Sequence, residues 1–306
     1  MSASIGLGLA ALGRPGYLNI GHGLDLGDDR SIGALRARAH EVLDAAYEAG
    51  VRHFDAARSY GRAEEFLGGW LRSRAPEDVF VASKWGYTYT AGWRMDASEH
   101  EVKDLSVSQL RRQLGETREH LGSWLRLYQI HSATIESGVL SDADVLDELA
   151  ALRATGVEIG LTATGPGQPA TIDAAVATGA FDAVQATWNL HERSAGDALA
   201  RAHAAGMRVI IKEAVANGRL TDRAAPPTLR SAARERGVGA DAVAIAVALA
   251  QPWVDVVLSG ASTPTMLESN LEALTVSVDA ALQERLAGLA EPAAEYWERR
   301  SQLPWN

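Results

Sequence analysis

Four side chains of the kinds that move protons follow one another along the chain, each at or just beyond the end of a short apolar run. Asp55 and Lys84 end two of these runs, His131 ends a third, and Tyr60 comes shortly after Asp55. A carboxylate, a phenol, an ammonium and an imidazole that meet in space form a proton-transfer site. The residue types and their order therefore predict acid and base chemistry.

This set of groups suits a reaction in which a carbonyl oxygen gains or loses a proton. Tyrosine has an ordinary pKa near 10, and an adjacent ammonium lowers that pKa. We therefore expect Lys84 to lower the pKa of Tyr60, and Asp55 to hold Lys84 charged and aimed. We expect His131 to hydrogen-bond a substrate carbonyl or to share the phenolic proton. Such a set can protonate a carbonyl oxygen as hydride arrives at its carbon, or run the reverse reaction.

Each of the four residues has an ordinary structural explanation when it is taken singly. Asp55 could cap a helix, Tyr60 could pack its ring, Lys84 could be a solvated loop residue, and His131 could be a hydrogen-bonded core histidine. The chemical interpretation depends on the four side chains meeting, which requires their strands to end on one face of a sheet.

Short runs rich in Val, Ile and Phe alternate with longer segments of helical spacing, and this alternation predicts βα units around a parallel sheet. The candidate strands are Ile5–Leu9, Val51–Asp55, Val79–Lys84, Leu125–His131, Glu158–Thr162, Ala183–Thr187, Arg208–Lys212 and Val254–Ser259. The candidate helices are Ala34–Ala49, Ala63–Ser73, Val107–Leu121, Asp142–Ala154, Thr171–Thr178, Ala195–Ala205 and Leu229–Gly237. We predict an α/β fold, a (β/α)8 TIM barrel formed as a single domain by residues 1–306. The active site of such a barrel lies at the C-terminal ends of its strands.

The competing fold is a doubly wound dinucleotide-binding sheet, which has a Gly-x-Gly-x-x-Gly turn after its first strand. The early glycines Gly6, Gly8 and Gly13 do not have that spacing. No Ser/Gly tract or charge block divides the chain, so one barrel explains the pattern better.

Composition excludes several classes of protein. The 306 residues contain 29 Lys and Arg against 39 Asp and Glu, a net charge of −10, so we expect neither nucleic acid nor a membrane as a partner. Because there is no cysteine, disulfides, thiolate metal sites and cysteine nucleophiles are excluded, and we expect no metal. No apolar run reaches the roughly 18 residues of a membrane span, and the start lacks the basic region of a signal peptide. We expect a cytoplasmic protein; no oligomeric state is indicated.

The segment 54–68, Phe-Asp-Ala-Ala-Arg-Ser-Tyr-Gly-Arg-Ala-Glu-Glu-Phe-Leu-Gly, resembles a motif of the aldo-keto reductase family. That family's Asp, Tyr, Lys and His tetrad matches Asp55, Tyr60, Lys84 and His131 in order, local context and strand position. The resemblance runs nearly end to end and implies a (β/α)8 barrel and hydride transfer, with Tyr60 as general acid or base. It also implies a nicotinamide cofactor, usually NADPH, bound at the strand ends without a Gly-x-Gly-x-x-Gly motif.

The resemblance further assigns cofactor contacts to Gly8, Thr162, Gln185, Lys212, Gly260, Ala261, Ser262, Thr263 and Asn270. The segment 258–270 offers backbone N–H groups and hydroxyls at a helix start, which suits a phosphate. Many family members have Lys or Arg near the positions of Gly260 and Met266 to bind the 2′-phosphate of NADPH. The resemblance implies NADP(H) as the cofactor, and because neither residue is basic here, NAD(H) is the alternative.

Two further positions depart from the family's pattern. The family commonly has Ser-Asn after the fifth strand, whereas this chain has Thr162-Ala163, and alanine cannot replace the amide of asparagine. Many members have an aromatic ring at the position of Lys212, where it stacks on the nicotinamide. Here an ion pair between Lys212 and Glu213 is an alternative, and Trp188 is a candidate for the missing ring.

The segment from Trp85 to Lys103 is long for a loop within a domain, and such loops are often functional. We predict that it covers a small-molecule substrate, either a carbonyl compound or a sugar. The predicted substrate contacts are Trp85, Tyr87, Trp93 and Trp188.

The leading hypothesis is an NADP(H)-dependent oxidoreductase that interconverts a carbonyl group and an alcohol. A second hypothesis is an aldose or lactol dehydrogenase that forms a lactone. A third is a non-redox lyase or isomerase that uses Lys84 or Lys212. A fourth is a non-catalytic subunit that senses cofactor or mediates interactions. The complete tetrad argues against the fourth.

Overall fold

Short runs of buried Val, Ile, Leu and Ala form the strands of a closed parallel barrel in the computed structural model, which describes residues 3–305. The strands, in chain order, are β1 Ser4–Gly8, β2 His53–Asp55, β3 Phe80–Trp85, β4 Tyr87–Tyr89, β5 Glu101–Lys103, β6 Leu125–Ala133, β7 Glu158–Ala163, β8 Ala183–Thr187, β9 Arg208–Lys212 and β10 Val256–Ser259. Eight of them belong to the barrel, and β4 pairs with β5 outside it. The predicted barrel is confirmed, with each strand end within two residues of its prediction.

The barrel strands are neighbours in the order β1, β2, β3, β6, β7, β8, β9, β10, and β10 closes onto β1 with Ser4 beside Val256. Small and large apolar side chains fill the inside of the barrel, as its tapered interior requires. They are Ala82, Leu127, Ala183, Ile210, Val256 and Leu258. Because this interior is packed, a ligand has room only at the ends of the strands.

Helices cover the outside of the barrel. They are α1 His22–Leu26, α2 Ile32–Glu48, α3 Ala63–Arg74, α4 Val107–Leu121, α5 Ala143–Arg153, α6 Gln168–Thr178, α7 Gly196–Ala204, α8 Pro227–Arg236, α9 Ala240–Leu249, α10 Pro264–Leu271, α11 Ala280–Ala287 and α12 Ala293–Ser301. The side chains of Ser31, Ser106 and Asp142 cap α2, α4 and α5 by accepting a backbone N–H, the usual role of these residue types. The seven predicted helices correspond to α2 through α8.

The sequence pattern missed several helices for physical reasons. Residues 240–248 of α9 are buried on every side, so α9 lacks the one-sided apolar stripe that marks a surface helix. By contrast, α12 is mainly polar and buries Tyr296 and Trp297. Within residues 3–305, no helix is long and apolar enough to cross a membrane.

The predicted loop from Trp85 to Lys103 contains an antiparallel pair of strands. Tyr87 lies opposite Lys103, and Tyr89 lies opposite Glu101. The segment therefore has its own backbone hydrogen bonds, and its start and end stay close to the end of β3.

Candidate active site

A cavity of about 470 Å³ opens at the C-terminal ends of the barrel strands, where barrels of this kind have their active sites. Many of the residues predicted for the site line it: Gly8, Asp55, Tyr60, Tyr87, His131, Gln185, Lys212, Gly260, Ala261 and Asn270. Lys84 is buried against Asp55 and does not reach the surface of the cavity. Three residues of the proposed tetrad therefore line one cavity, and Lys84 lies directly behind Asp55.

Two glycines allow the turn that contains Tyr60 to pack against the segment after β1. A Cβ atom on Gly13 would overlap the carbonyl oxygen of Tyr60, and one on Gly61 would overlap the carbonyl oxygen of Gly13. Gly61 also has a φ of 60°, a left-handed conformation that glycine adopts without strain. The amide of Arg62 donates to the Gly13 carbonyl over 2.7 Å. These contacts fix the backbone on both sides of Tyr60.

Glu64, in the first turn of α3, links the Tyr60 turn to its surroundings. Its side chain is buried, forms an ion pair with Arg58 and accepts hydrogen bonds from Ser83 and from Thr117. Arg58 belongs to the Tyr60 turn, and Ser83 precedes Lys84 on β3. Glu64 is thus a positioning residue for Tyr60 and Lys84 alike.

Lys84 and Asp55 form an ion pair in which both side chains are at most 2% exposed. The Lys84 ammonium also donates to the Ala56 carbonyl over 3.0 Å. The second carboxylate oxygen of Asp55 accepts the side-chain amides of Gln129, over 3.1 Å, and Gln185, over 3.0 Å. Buried charges persist when paired and hydrogen-bonded in this way.

The pKa of Tyr60 differs from the sequence-based expectation. Burial, followed by the Asp55 carboxylate, raises the pKa of Tyr60 well above its usual value. The Lys84 ammonium is 4.7 Å from the centre of the Tyr60 ring, but its ion pair with Asp55 offsets its charge. The cation that lowers the pKa of Tyr60 is Arg14, whose guanidinium carbon is 5.3 Å from the ring centre. The phenol is therefore protonated at neutral pH.

His131 is neutral for a related reason. Burial, and then the charges of Lys84 and Lys212, lower the pKa of His131 well below its usual value. Its Nδ1 lies 3.4 Å from the Ser59 hydroxyl, and its ring meets the Tyr60 ring edge-on at 5.5 Å between centroids. A neutral imidazole in this place can hydrogen-bond a substrate oxygen without charging it.

Arg14 is a site residue that the sequence did not indicate. Its side chain is buried, forms an ion pair with Glu101 and donates to the Ser59 carbonyl over 3.1 Å. Its guanidinium carbon also lies 4.7 Å from the centre of the Trp305 ring. Arg14, Glu101 and Trp305 all line the cavity although they are far apart in sequence, and no local motif relates them.

Part of the predicted cofactor set lies away from the cavity surface. Thr162 is buried, and its hydroxyl accepts the backbone N–H of Ser132 over 2.7 Å. Thr263 is the N-cap of α10 and accepts the Met266 amide over 3.2 Å, and the Ser262 hydroxyl contacts Met266 at 3.5 Å. Because these hydroxyls have partners within the protein, their first role is to shape the wall of the cavity.

The remaining part of that set lies along the cavity between β10 and α10. Gly260 is exposed, and a Cβ built there would meet no atom within 4 Å. Asn270 accepts a hydrogen bond from Ser259 over 2.7 Å and donates to Asp241 over 2.6 Å. These residues form an open wall next to the first turn of α10, a place where backbone N–H groups attract anions.

Lys212 and Glu213 do not form the ion pair considered above. Among residues 3–305, the cation within 4.0 Å of Glu213 is Arg300, on α12. The Lys212 ammonium instead donates to the Thr187 hydroxyl over 2.8 Å, which in turn donates to Glu213 over 3.2 Å. Arg300 pairs better with Glu213 because its planar guanidinium binds both carboxylate oxygens.

Three of the four predicted substrate contacts do not line the cavity. Trp85 is fully buried in the core, and Trp188 packs edge-on against Trp253 at 5.7 Å between ring centroids. The indole N–H of Trp93 donates to the Arg30 carbonyl over 2.8 Å. The large apolar area of each ring is thus used in packing. Tyr87, the fourth, lines the cavity and meets His131 at 5.0 Å between ring centroids.

Comparisons with known proteins find relatives among oxidoreductases. A D-threo-aldose 1-dehydrogenase from Pseudomonas sp. is 27% identical over 326 aligned positions, covering 94% of this chain and 95% of that protein. The oxidoreductase YqkF of Bacillus subtilis is 30% identical, but the match covers 39% of this chain and 38% of that protein. A pyridoxal 4-dehydrogenase from Microbacterium luteolum is 30% identical over 37% of this chain and 39% of that protein. The matches to the last two thus span less than half of each relative.

A solved structure and a family model extend these comparisons. An aldo-keto reductase from Bacillus halodurans, in its holo form, superposes with a TM-score of 0.73 over 94% of this chain and 92% of that chain. Its sequence identity is 20%, so this likeness concerns the fold alone. The model of the aldo/keto reductase family matches residues 19–291, which is most of the sequence. The chain therefore belongs to the aldo/keto reductase family.

Proposed function

We propose that the protein is an NAD(P)H-dependent oxidoreductase that interconverts a carbonyl compound and an alcohol, with Tyr60 as the general acid and base. The observation that supports this most strongly is the arrangement of the tetrad. Tyr60 and His131 line one end of the cavity, and the buried ion pair of Asp55 and Lys84 lies beside them. This places a proton donor, a neutral hydrogen-bonding ring and a fixed charge pair around one point.

The cavity also has features that a nicotinamide dinucleotide requires. Its volume lies within the range of about 300 to 1,000 Å³ that small-molecule sites occupy, and the open space beside Gly260 leaves room on its wall. Thr265, Met266 and Ser269 of α10 line one part of it, and Tyr60 lines another. A ligand with a phosphate and a reactive ring can therefore bind the helix start and the tetrad at the same time.

The residues divide the proton chemistry between them. A bound nicotinamide would supply or accept the hydride. In reduction, Tyr60 donates its proton to the carbonyl oxygen, and its raised pKa keeps that proton available at neutral pH. Neutral His131 orients the oxygen by a hydrogen bond, and Arg14 stabilises the phenolate that remains. The buried ion pair of Asp55 and Lys84 lies beside Tyr60 and helps to hold Tyr60 and His131 in position.

Direct binding and turnover test this function. We expect NADPH or NADH to quench the fluorescence of the 8 tryptophans, and a panel of aldehydes and ketones to be reduced with matching loss of reduced cofactor. Absence of binding by both cofactors would contradict the proposal. Lysis or isomerisation of the same compounds without any cofactor would favour the non-redox hypothesis.

A second candidate is the oxidation of a sugar at its first carbon to a lactone. It is favoured by the similarity to the D-threo-aldose 1-dehydrogenase over 94% of this chain. The tetrad serves both directions, since Tyr60 can return the proton that it gives. Incubation of aldoses with NAD⁺ or NADP⁺, followed by detection of the lactone, distinguishes this activity from carbonyl reduction.

NADP(H) is our proposed cofactor, and its selectivity over NAD(H) is expected to be modest. Met266 lines the cavity in the first turn of α10 without a charge. We predict that Met266→Arg tightens NADPH binding by about 10- to 100-fold, the value of a charge-assisted phosphate contact, and leaves NADH binding nearly unchanged. Fluorescence titration measures both affinities, with Met266→Leu as the uncharged control. Equal changes for the two cofactors would show that position 266 does not face the 2′-phosphate.

In the segment 85–103, substitutions of Tyr87 and Trp93 are expected to have different effects. Tyr87→Ala is expected to raise KM by about 10-fold, because the ring lines the cavity beside His131 and supplies apolar contact area. Trp93→Ala is expected to lower the melting temperature with little effect on KM, because Trp93 packs on Phe66 and bonds to Arg30. Steady-state kinetics and thermal unfolding of both variants test this. A raised KM for Trp93→Ala with an unchanged melting temperature would instead support Trp93 as a substrate contact.

Substrate-dependent movement of the same segment and a cytoplasmic location stay predictions. Hydrogen exchange on the free, cofactor-bound and ternary forms tests the first, and fractionation of the native cell tests the second.

A further inference from the structure

Lys212 presents an ammonium group to the cavity without a carboxylate partner. It lies at the end of β9, where its Nζ donates to the Thr187 hydroxyl over 2.8 Å and lies 5.6 Å from the centre of the Trp297 ring. Among residues 3–305, no Asp or Glu oxygen lies within 4.0 Å of this ammonium. Its positive charge is therefore not offset by direct contact.

The other cations at this end of the cavity are paired. Arg14 pairs with Glu101, Arg300 with Glu213 and Lys84 with Asp55. Among these four cations and three carboxylates, Lys212 is the unpaired, excess positive charge. Elsewhere on the cavity lining, Arg223 pairs with Asp25, Asp222 accepts the amide of Ala240, and Asp241 accepts hydrogen bonds from Ser269 and Asn270.

This excess charge acts on the reacting end of the site. Lys212 is one of the cations that hold His131 neutral, and it interacts electrostatically with Lys84 on the opposite side of the barrel mouth. A ring that transfers hydride to a carbon whose oxygen faces Tyr60 and His131 must bind at this same end. There it experiences the charge of Lys212, which lines the same cavity.

The two redox forms of a nicotinamide differ in charge at that ring, since the reduced ring is neutral and the oxidised ring is a cation. We propose that Lys212 makes the cavity select the reduced cofactor by repelling the positive charge of the oxidised ring. This inference rests on the proposed function and adds to it a preference for binding the cofactor in its reduced form. Lys212 would act on cofactor binding and contribute nothing to proton transfer.

The choice of lysine makes the selection depend on pH. The chain has 3 lysines against 26 arginines, and lysine, unlike arginine, can lose its proton when buried. Burial lowers the pKa of Lys212 to about 8, with Glu213 opposing this and Arg300 and Lys84 reinforcing it. His131, on β6, is neutral throughout this range because its own pKa lies far lower. Below this pKa the ammonium repels the oxidised ring, and above it the neutral amine does not.

Calorimetric titration of the purified protein with NADPH and with NADP⁺ tests this without any turnover. At pH 7 we expect the ratio of the two dissociation constants to favour NADPH, and Lys212→Met to reduce that ratio by about 10- to 100-fold, as expected for two charges several Å apart in a protein site. Near pH 9.5 the parent should approach the ratio of the variant. Lys212→Arg should keep the preference for NADPH at both pH values.

Proton release supplies an independent readout. The oxidised ring should expel a proton from Lys212 near pH 8, so NADP⁺ should release more protons than NADPH when the titrations are repeated in buffers of different ionisation enthalpy. Both ligands have the same 2′-phosphate, so its titration cancels in the comparison. Lys212→Met should abolish the difference.

The outcomes separate this inference from the function on which it rests. If the parent binds both cofactor forms and Lys212→Met leaves their ratio unchanged, the inference is wrong and the oxidoreductase proposal stands. If the parent binds neither form, the proposed function fails and the inference fails with it. Lys103→Met is the matched control, because Lys103 is exposed, lies outside the cavity lining and donates to the Ser132 carbonyl. An equal fall in the ratio for Lys103→Met would overturn a specific role for Lys212.

Discussion

A Tyr60→Phe variant is expected to lose about 100-fold or more of its turnover, the typical contribution of a positioned general acid, while it folds and binds cofactor like the parent. The substitution removes one hydroxyl and keeps the ring, which packs between Arg14 and His131. No described side chain hydrogen-bonds to that hydroxyl, whereas Gly13 and Gly61 fix the backbone of the turn. The lost atom therefore matters for chemistry and little for structure.

Three measurements on this variant check the prediction: kcat with the best carbonyl substrate, cofactor affinity by fluorescence, and the melting temperature. Tyr89→Phe is the matched control, because Tyr89 lies in the neighbouring strand pair outside the cavity lining. Turnover of Tyr60→Phe within a factor of two of the parent would refute the assignment of Tyr60.

The raised pKa of Tyr60 also fixes the pH dependence of the parent. Because burial and Asp55 raise this pKa, the proton is present throughout the neutral range and is lost only at strongly alkaline pH. The rate of carbonyl reduction should therefore stay level from about pH 6 to pH 8 and fall above the ordinary tyrosine pKa of about 10. A rate that fell between pH 6 and pH 8 would assign the proton to another group.

The barrel and the tetrad could be predicted because both depend on short segments of the sequence. Strands such as β8, Ala183–Thr187, are continuous apolar runs of the right length, as a strand buried on both faces requires. Asp55, Lys84 and His131 each end or nearly end such a run, and parallel strands all end on the same face. Fold and tetrad thus follow from one pattern.

The other contacts depend on chain segments that are distant in sequence. Arg14, Glu101 and Trp305 meet only because the end of the chain returns to the barrel mouth. Aromatic residues such as Trp85 and Trp93 look alike in sequence whether they face a ligand or a core. The expected lowering of the Tyr60 pKa is wrong because burial raises this pKa most and the Asp55 carboxylate adds to it, and the burial of Tyr60 is not visible in the sequence. An interaction such as that of Asp55 with Tyr60 is visible only when both partners and their burial are known.

Lys84→Met is expected to lower the free energy of unfolding by about 3 to 5 kcal/mol, the usual result of leaving one partner of a buried ion pair unpaired. In the parent, both side chains of the Lys84 and Asp55 pair are at most 2% exposed. The variant leaves the Asp55 carboxylate with the amides of Gln129 and Gln185 as donors. Two neutral donors do not compensate for a lost ammonium, because a buried charge needs a counter-charge as well as hydrogen bonds.

Urea unfolding measures this loss, and two further variants identify its cause. Asp55→Asn combined with Lys84→Met removes both charges, so it should recover part of the stability that Lys84→Met loses. Lys103→Met removes an exposed ammonium and should cost less than about 1 kcal/mol. A Lys84→Met protein as stable as the parent at pH 7 would mean that water reaches Asp55. The ion pair of Asp55 and Lys84 would then not explain how the residues around Tyr60 are held in place.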